Sequence, residues 1–166
     1  MAVITAEQAG GAALVRMLDT IAYSEGTSTS PHTKNDGYNI IVSGVDGHHE
    51  FTDYSDHPLV GKPGIVIRRE PLLVSSAAGR YQLLAKYWPH YKEVLHLPDF
   101  SPLSQDRVAL QQIKECRATQ NILEGNIEVA IAKLRNIWAS FPGNGYGQGG
   151  KSMAALVERF RTEAVA

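Results

Sequence analysis

Leu14-Val15-Arg16-Met17-Leu18-Asp19-Thr20-Ile21-Ala22-Tyr23-Ser24-Glu25-Gly26 is the stretch on which the reading of this chain turns. Leu14, Met17, Leu18 and Ile21 fall at i, i+3, i+4 and i+7, the spacing of one face of an amphipathic helix. Gly26 is a natural stop, because glycine readily takes the left-handed conformation that closes a helix. The helix therefore ends on a carboxyl group, Glu25, where the macrodipole favours cations over anions. A glutamate held against the dipole and shielded from water has a raised pKa and can act as a general acid. The plainer alternative is a solvated helix-end glutamate with no function, and the rest of the chain has to decide between the two.

Outward from that helix, Ser28 to Gly37 reads as a loop. Tyr38-Asn39-Ile40-Ile41-Val42 and His49-Glu50-Phe51-Thr52-Asp53-Tyr54 flank an Asp46-Gly47 turn signal and read as a β-hairpin. Residues 56–78, with Pro58, Pro63 and Pro71, read as irregular, with a short strand near Ile65-Val66-Ile67. From Gly79 the pattern turns helical: Tyr81, Leu84 and Trp88 share a face up to Pro89, and Tyr91 to Leu97 continues as the second half of a kinked pair. Ser101-Pro102 opens another helix, supported by Val108, Leu110, Ile113 and Cys116. Ile127, Ile131, Leu134 and Trp138 mark the next, and Met153, Leu156, Val157 and Phe160 the last, with a glycine-rich loop from Phe141 to Gly150 between them. Trp88 and Trp138 sit on apolar stripes and are expected in the core. The layout is α+β: one helix, a small β subdomain at about 37–75, then a mainly helical body, in a single domain over residues 1–166.

A chain of 166 residues is long enough for a domain with a real core. Its net charge of −1 offers no basic field for nucleic acid or an anionic membrane. The single cysteine, Cys116, excludes an internal disulfide and any multi-cysteine metal site. No apolar run approaches a membrane span. The opening residues lack a basic segment, and Arg16 and Asp19 break the first apolar stretch, so no secretory signal is expected and the chain starts out in a cytoplasm. His48-His49, His57, His90 and His96 match no ligand spacing and read as solvated, so no metal and no cofactor are expected. Nothing in the sequence calls for more than a monomer.

Polar and aromatic residues gather in three segments: Phe51 to Pro58, Ala78-Gly79-Arg80-Tyr81-Gln82-Leu83, and Gly143-Asn144-Gly145-Tyr146-Gly147-Gln148. Such sets hold sugars, with aromatic faces against pyranose rings and amides, carboxylates and hydroxyls on the ring substituents. The last segment lacks the Lys-Ser/Thr end of a phosphate-binding loop.

Ser24-Glu25-Gly26-Thr27, Gly37-Tyr38, Phe51 to Pro58, Gly79 to Leu84, Asp99-Phe100-Ser101-Pro102, Ser104-Gln105-Asp106, Val108 to Glu115, Asn136 to Ser140 and Gly145-Tyr146-Gly147-Gln148 follow one another along nearly the whole chain. In these stretches the chain resembles the lambda-type phage endolysins, which are lytic transglycosylases. The resemblance implies a lysozyme-like fold, with a small β-sheet subdomain beside a mainly helical lobe and the active cleft between them. It implies cleavage of the β-1,4 bond between N-acetylmuramic acid and N-acetylglucosamine in peptidoglycan glycan strands, leaving 1,6-anhydromuramyl ends. Glu25 matches the family's catalytic glutamate. Gln82 matches a glutamine that faces the cleft, and Tyr146 a late aromatic near the glutamate. Tyr38, Thr52, Asp53, Tyr54 and Gln148 complete the expected substrate contacts.

Asp53 and Asp56 read either as turn residues or as a second carboxylate, which a retaining hydrolase would hold about 5–5.5 Å from the acid. Arg80 reads as a structural ion pair or as a clamp for a substrate carboxylate. This chain has Asn39 where the family has an aspartate, and it departs from the family around Gly61 to Ser75. The resemblance further implies a wait in the host cytoplasm until a holin permeabilises the membrane, then action in the periplasm on the cell wall. A hydrolytic lysozyme and a catalytically silent glycan-binding module are the alternatives.

Overall fold

The computed structural model of the chain describes residues 1–143 and 150–162. Among these the helices are α1 (Ala6–Ala9), α2 (Ala12–Glu25), α3 (Trp88–Val94), α4 (Pro102–Glu115), α5 (Thr119–Leu123), α6 (Ile127–Leu134) and α7 (Met153–Thr162). The strands are β1 (Ile40–Gly44), β2 (Gly47–Glu50), β3 (Ile65–Arg68), β4 (Leu73–Ser75), β5 (Ala77–Ala78) and β6 (Leu83–Leu84). The backbone divides into two units, Met1–Gly26 with Asp106–Ala166, and the continuous Thr27–Gln105. No helix among the described residues is long and apolar enough to cross a membrane.

The first unit is built on α2. Met17, Leu18, Ile21 and Ala22 are fully buried, and each of the larger side chains contributes about 1.5–3 kcal/mol by leaving water. Helices α5 and α7 pack on α2, and α6 packs on both of them. Ile122, Ile131, Leu134 and Leu156 bring the facing side chains. Gly26 closes α2 as expected, at φ 74°, with its N–H on the carbonyls of Ala22 and Tyr23. Trp138 lies beyond α6, in a turn where it and Phe141 are both buried. Two buried carboxylates hold the chain start. Asp19 Oδ1 accepts from the Ala2 N–H at 2.7 Å, and Asp106 Oδ2 accepts from Val3 and Ile4, both at 2.9 Å.

The second unit carries the sheet, antiparallel in the order β2-β1-β5-β6, with β3-β4 as a separate hairpin. The expected first hairpin forms, but its second strand stops at Glu50 rather than Tyr54. Phe51 turns inward to stack near Phe100 and Tyr54, and the Tyr54 carbonyl accepts from the Phe100 N–H, which draws the chain off the ladder.

The helix expected from Gly79 is not there. Ala77–Ala78 pairs with Leu83–Leu84 across a tight turn in which Gly79 has φ 81° and Gln82 φ 52°. A right-handed helix cannot hold two left-handed residues. Pro89 opens α3 instead of limiting a helix, because its missing N–H is one of the first-turn donors that have no partner anyway. In place of the expected kinked pair, a 3-10 turn over Ala85–Tyr87 runs directly into α3. That helix closes at His96 (φ 51°), with His96 N–H on Glu93 O and Leu97 N–H on Lys92 O, the pairing of a Schellman motif.

Candidate active site

Glu25 is half-buried at the last position of α2. Burial pushes its carboxyl above the ordinary glutamate value, and hydrogen bonds from the side chain and main chain of Ser140 pull the other way without cancelling it. The Ser140 hydroxyl donates to Glu25 Oε1 at 2.5 Å. Ser24, one residue before the glutamate, donates its hydroxyl to the Ser140 carbonyl at 3.2 Å. Gly150 approaches the same carbonyl so closely that a Cβ there would lie 2.7 Å from it. A desolvated carboxyl with a raised pKa holds its proton more readily and can give it up and then take one back. Ser140 is not among the residues that the sequence marks as functional. It lies in one of the stretches shared with the family, but only its position in space gives it a partner.

In the second unit Arg80 organises the polar residues. It is 1% exposed, and its Nη1 donates to the Asp36 carbonyl and pairs with Asp36 Oδ2 at 3.0 Å. Its guanidinium lies 5.1 Å from the Tyr38 ring centroid and 5.9 Å from that of Tyr81. Gln105 accepts from the Arg80 N–H through Oε1 and donates through Nε2 to the carbonyls of Tyr38 and Phe100. Of the two readings of Arg80, the structure shows the ion pair.

The expected substrate residues divide by exposure. Tyr38 is 1% exposed, which leaves no free ring face for a sugar and makes it a support for Arg80 rather than a contact surface. Gln82 is half-buried; its Nε2 donates to Gly79 O at 3.0 Å, and its Oε1 meets no donor among the described residues. Its left-handed backbone is strained for a side chain with a Cβ, a cost of a kind that collects at functional sites. Thr52 and Asp53 are exposed, and Tyr54 is half-buried with its hydroxyl accepting from Asn35 Nδ2 at 2.8 Å. Tyr146 and Gln148 lie outside the described residues.

The two aspartates have different surroundings. Hydrogen bonds from Ser55, its main-chain N–H at 2.8 Å among them, hold the Asp53 carboxyl below the usual range. At Asp56 burial pushes upward, but hydrogen bonds from Trp88 Nε1 and Lys92 Nζ outweigh it and the net shift is down. Asp56 is therefore occupied by the core tryptophan. Asn39 is buried, and its Oδ1 accepts from the Thr33 hydroxyl, which itself accepts from the Gly37 N–H. The amide thus pins the loop before β1. His57 corrects the reading of the histidines as solvated: it is 2% exposed, with Nε2 on Leu83 O and Nδ1 taking the Leu59 N–H. Among the described residues no three His, Cys, Asp or Glu side chains are grouped to hold a metal ion.

The chain has the lysozyme fold, as solved structures show. A bacteriophage lambda lysozyme complexed with a chitohexasaccharide matches it with a TM-score of 0.78 at 47% identity, over 90% of this chain and 92% of that one. A second structure of the lysozyme from bacteriophage lambda matches with a TM-score of 0.77 at 45% identity, over the same shares. The family model described as Endolysin matches residues 15–165, and the chain belongs to that family. It is 54% identical to the endolysin of Escherichia phage P2 over 151 residues, 90% of this chain and 91% of that protein. It is 48% identical to the endolysin of Escherichia phage lambda over 145 residues, covering 87% and 86%.

Proposed function

We propose that this chain is a phage endolysin that degrades bacterial peptidoglycan as a lytic transglycosylase. The observation that carries the reading is the Glu25 carboxyl, pushed up by burial and held by the Ser140 hydroxyl. Protonated Glu25 gives its proton to the glycosidic oxygen as the bond from C1 of N-acetylmuramic acid to N-acetylglucosamine breaks. The Glu25 carboxylate then takes the proton of the muramyl C6 hydroxyl while that oxygen bonds to C1 of its own ring. The product is a 1,6-anhydromuramyl end, and no water is consumed. One carboxyl serves as acid and then base, and the intramolecular attack has a high effective concentration. The sugar chain bound by the lambda lysozyme supports a glycan substrate here.

On this reading Thr52, Asp53, Tyr54 and Gln82 touch the glycan with Tyr38 behind them, and Tyr146 and Gln148 keep the roles their family positions imply. The enzyme waits in the host cytoplasm until a holin opens the membrane, and then reaches the wall. Glu25→Gln is expected to lower glycan release from purified peptidoglycan by about 10²–10⁴-fold. If the variant clears the wall as well as the native protein, the mechanism is wrong.

A hydrolytic lysozyme is the second reading, favoured by one observation: Asp53 is exposed and stays ionised, as a second carboxylate must. Borohydride reduction of the products before mass spectrometry separates the two. Anhydromuramyl ends resist reduction, whereas the reducing muramic acid ends left by a hydrolase gain two hydrogens.

A further inference from the structure

We infer that Ser140 is the positioning residue for Glu25: its hydroxyl holds Oε1 through both halves of the reaction and leaves Oε2 as the oxygen that carries the proton. This inference rests on the acid-then-base role proposed for Glu25. The geometry behind it comes from three separate parts of the chain that meet at residue 140. The hydroxyl of Ser140 lies 2.5 Å from Glu25 Oε1, in the range of an O–H···O⁻ bond. Ser24, next to the glutamate on α2, donates to the Ser140 carbonyl, so the two residues are gripped in both directions. Gly150 sits against that same carbonyl with no room for a side chain.

The turn that carries Ser140 is itself fixed. Trp138 and Phe141 on either side are buried with ring centroids 6.3 Å apart, and the Phe141 N–H bonds the Trp138 carbonyl. A hydroxyl anchored in this way does not need to move when the glutamate changes charge. It donates to the carbonyl oxygen of the protonated acid and to the same atom of the carboxylate. With Oε1 held by the hydroxyl, the inference assigns Oε2 to the glycosidic oxygen and then to the C6 hydroxyl. Holding one rotamer matters because the same carboxyl must serve two positions of the substrate in succession, and a misplacement of about 1 Å can cost about 10²-fold.

The test compares the full-length protein with Ser140→Ala, Ser140→Thr and Glu25→Gln, measuring glycan release from purified peptidoglycan across pH. Ser140→Ala is expected to lower kcat by about 10- to 100-fold. It is also expected to move the alkaline limb of the profile to higher pH, because a donor to the carboxylate is gone. Ser140→Thr keeps the hydroxyl and is expected to restore both. An alkaline limb that stays in place in Ser140→Ala, or a threonine variant as poor as the alanine one, overturns the inference. Should Ser140→Ala not fold, Ser24→Ala takes its place: a shift in the same direction supports the clasp, and an unmoved limb overturns it. Glu25→Gln separates the two levels. If it keeps activity, the proposed mechanism itself fails. If it is inactive while the serine variants leave the limb in place, only the role of Ser140 fails.

Discussion

Glu25 has an environment that works against its charge and one residue, Ser140, that works for it. Burial is the larger influence, so the native carboxyl titrates above the usual 4.5. Between that value and the folded one, the native state holds more protons than the unfolded chain. Stability therefore falls as pH rises through this window, and the cost is complete above the folded pKa. Glutamine at this position carries no charge at any pH. Glu25→Gln is accordingly expected to melt at a higher temperature than the native protein near about pH 7, with the gain gone near about pH 3.5. Calorimetry across that range checks it. A gain of equal size at both ends would mean that packing, not the desolvated charge, is responsible. The residue on which activity is proposed to depend would then be one the fold tolerates at a loss, as acid–base residues often are.

The elements that carry the candidate residues of each unit differ in how far local sequence announces them. Helix α2 is legible because burial on one face imposes the 3.6-residue spacing and Gly26 supplies the stop. The turn from Gly79 to Gln82 is not, because Tyr81, Leu84 and Trp88 fall at helical spacing by coincidence while two left-handed residues forbid the helix. What fixes that turn is distant in sequence. Gly79 sits where a Cβ would lie 2.3 Å from Gln105 Oε1, and that oxygen takes the Arg80 N–H. Gln105→Leu keeps the bulk but removes the bonds to the Arg80 N–H and to the carbonyls of Tyr38 and Phe100. A buried hydrogen bond contributes about 0.5–1.5 kcal/mol, so losing three is expected to cost about 3 kcal/mol in urea unfolding. A loss below about 1 kcal/mol would show that water replaces the amide. The site follows the same division. The place of Glu25 at the end of α2 is readable from periodicity, whereas Gln82 is put forward only by its likeness to a family motif. The Ser140 contact spans 115 positions, and a buried His57 satisfied by two backbone groups looks in sequence like any solvated histidine.

At the scale of the whole molecule, the unit that contains Glu25 is assembled from both ends of the chain, while the sheet unit is one continuous segment. Asp106 shows how the ends are joined: its fully buried carboxylate takes the N–H groups of Val3 and Ile4 across about a hundred positions. Asp106→Ala removes both bonds. It is expected to cost about 2–4 kcal/mol and to abolish the hydrogen-exchange protection of the Val3 and Ile4 amides. Protection that survives would place the anchor of the chain start at Asp19 instead.

The order of synthesis gives the pairing of Glu25 with Ser140 a further meaning. A ribosome releases Glu25 early and Ser140 only after more than a hundred further residues, so the nascent chain carries its key carboxyl without the hydroxyl that seats it. Helices α5, α6 and α7, which close around α2, also emerge late. The carboxyl proposed as the acid is therefore seated only when the segment that carries Ser140 arrives. A translation product interrupted before residue 140 would contain the glutamate without the hydroxyl that holds it.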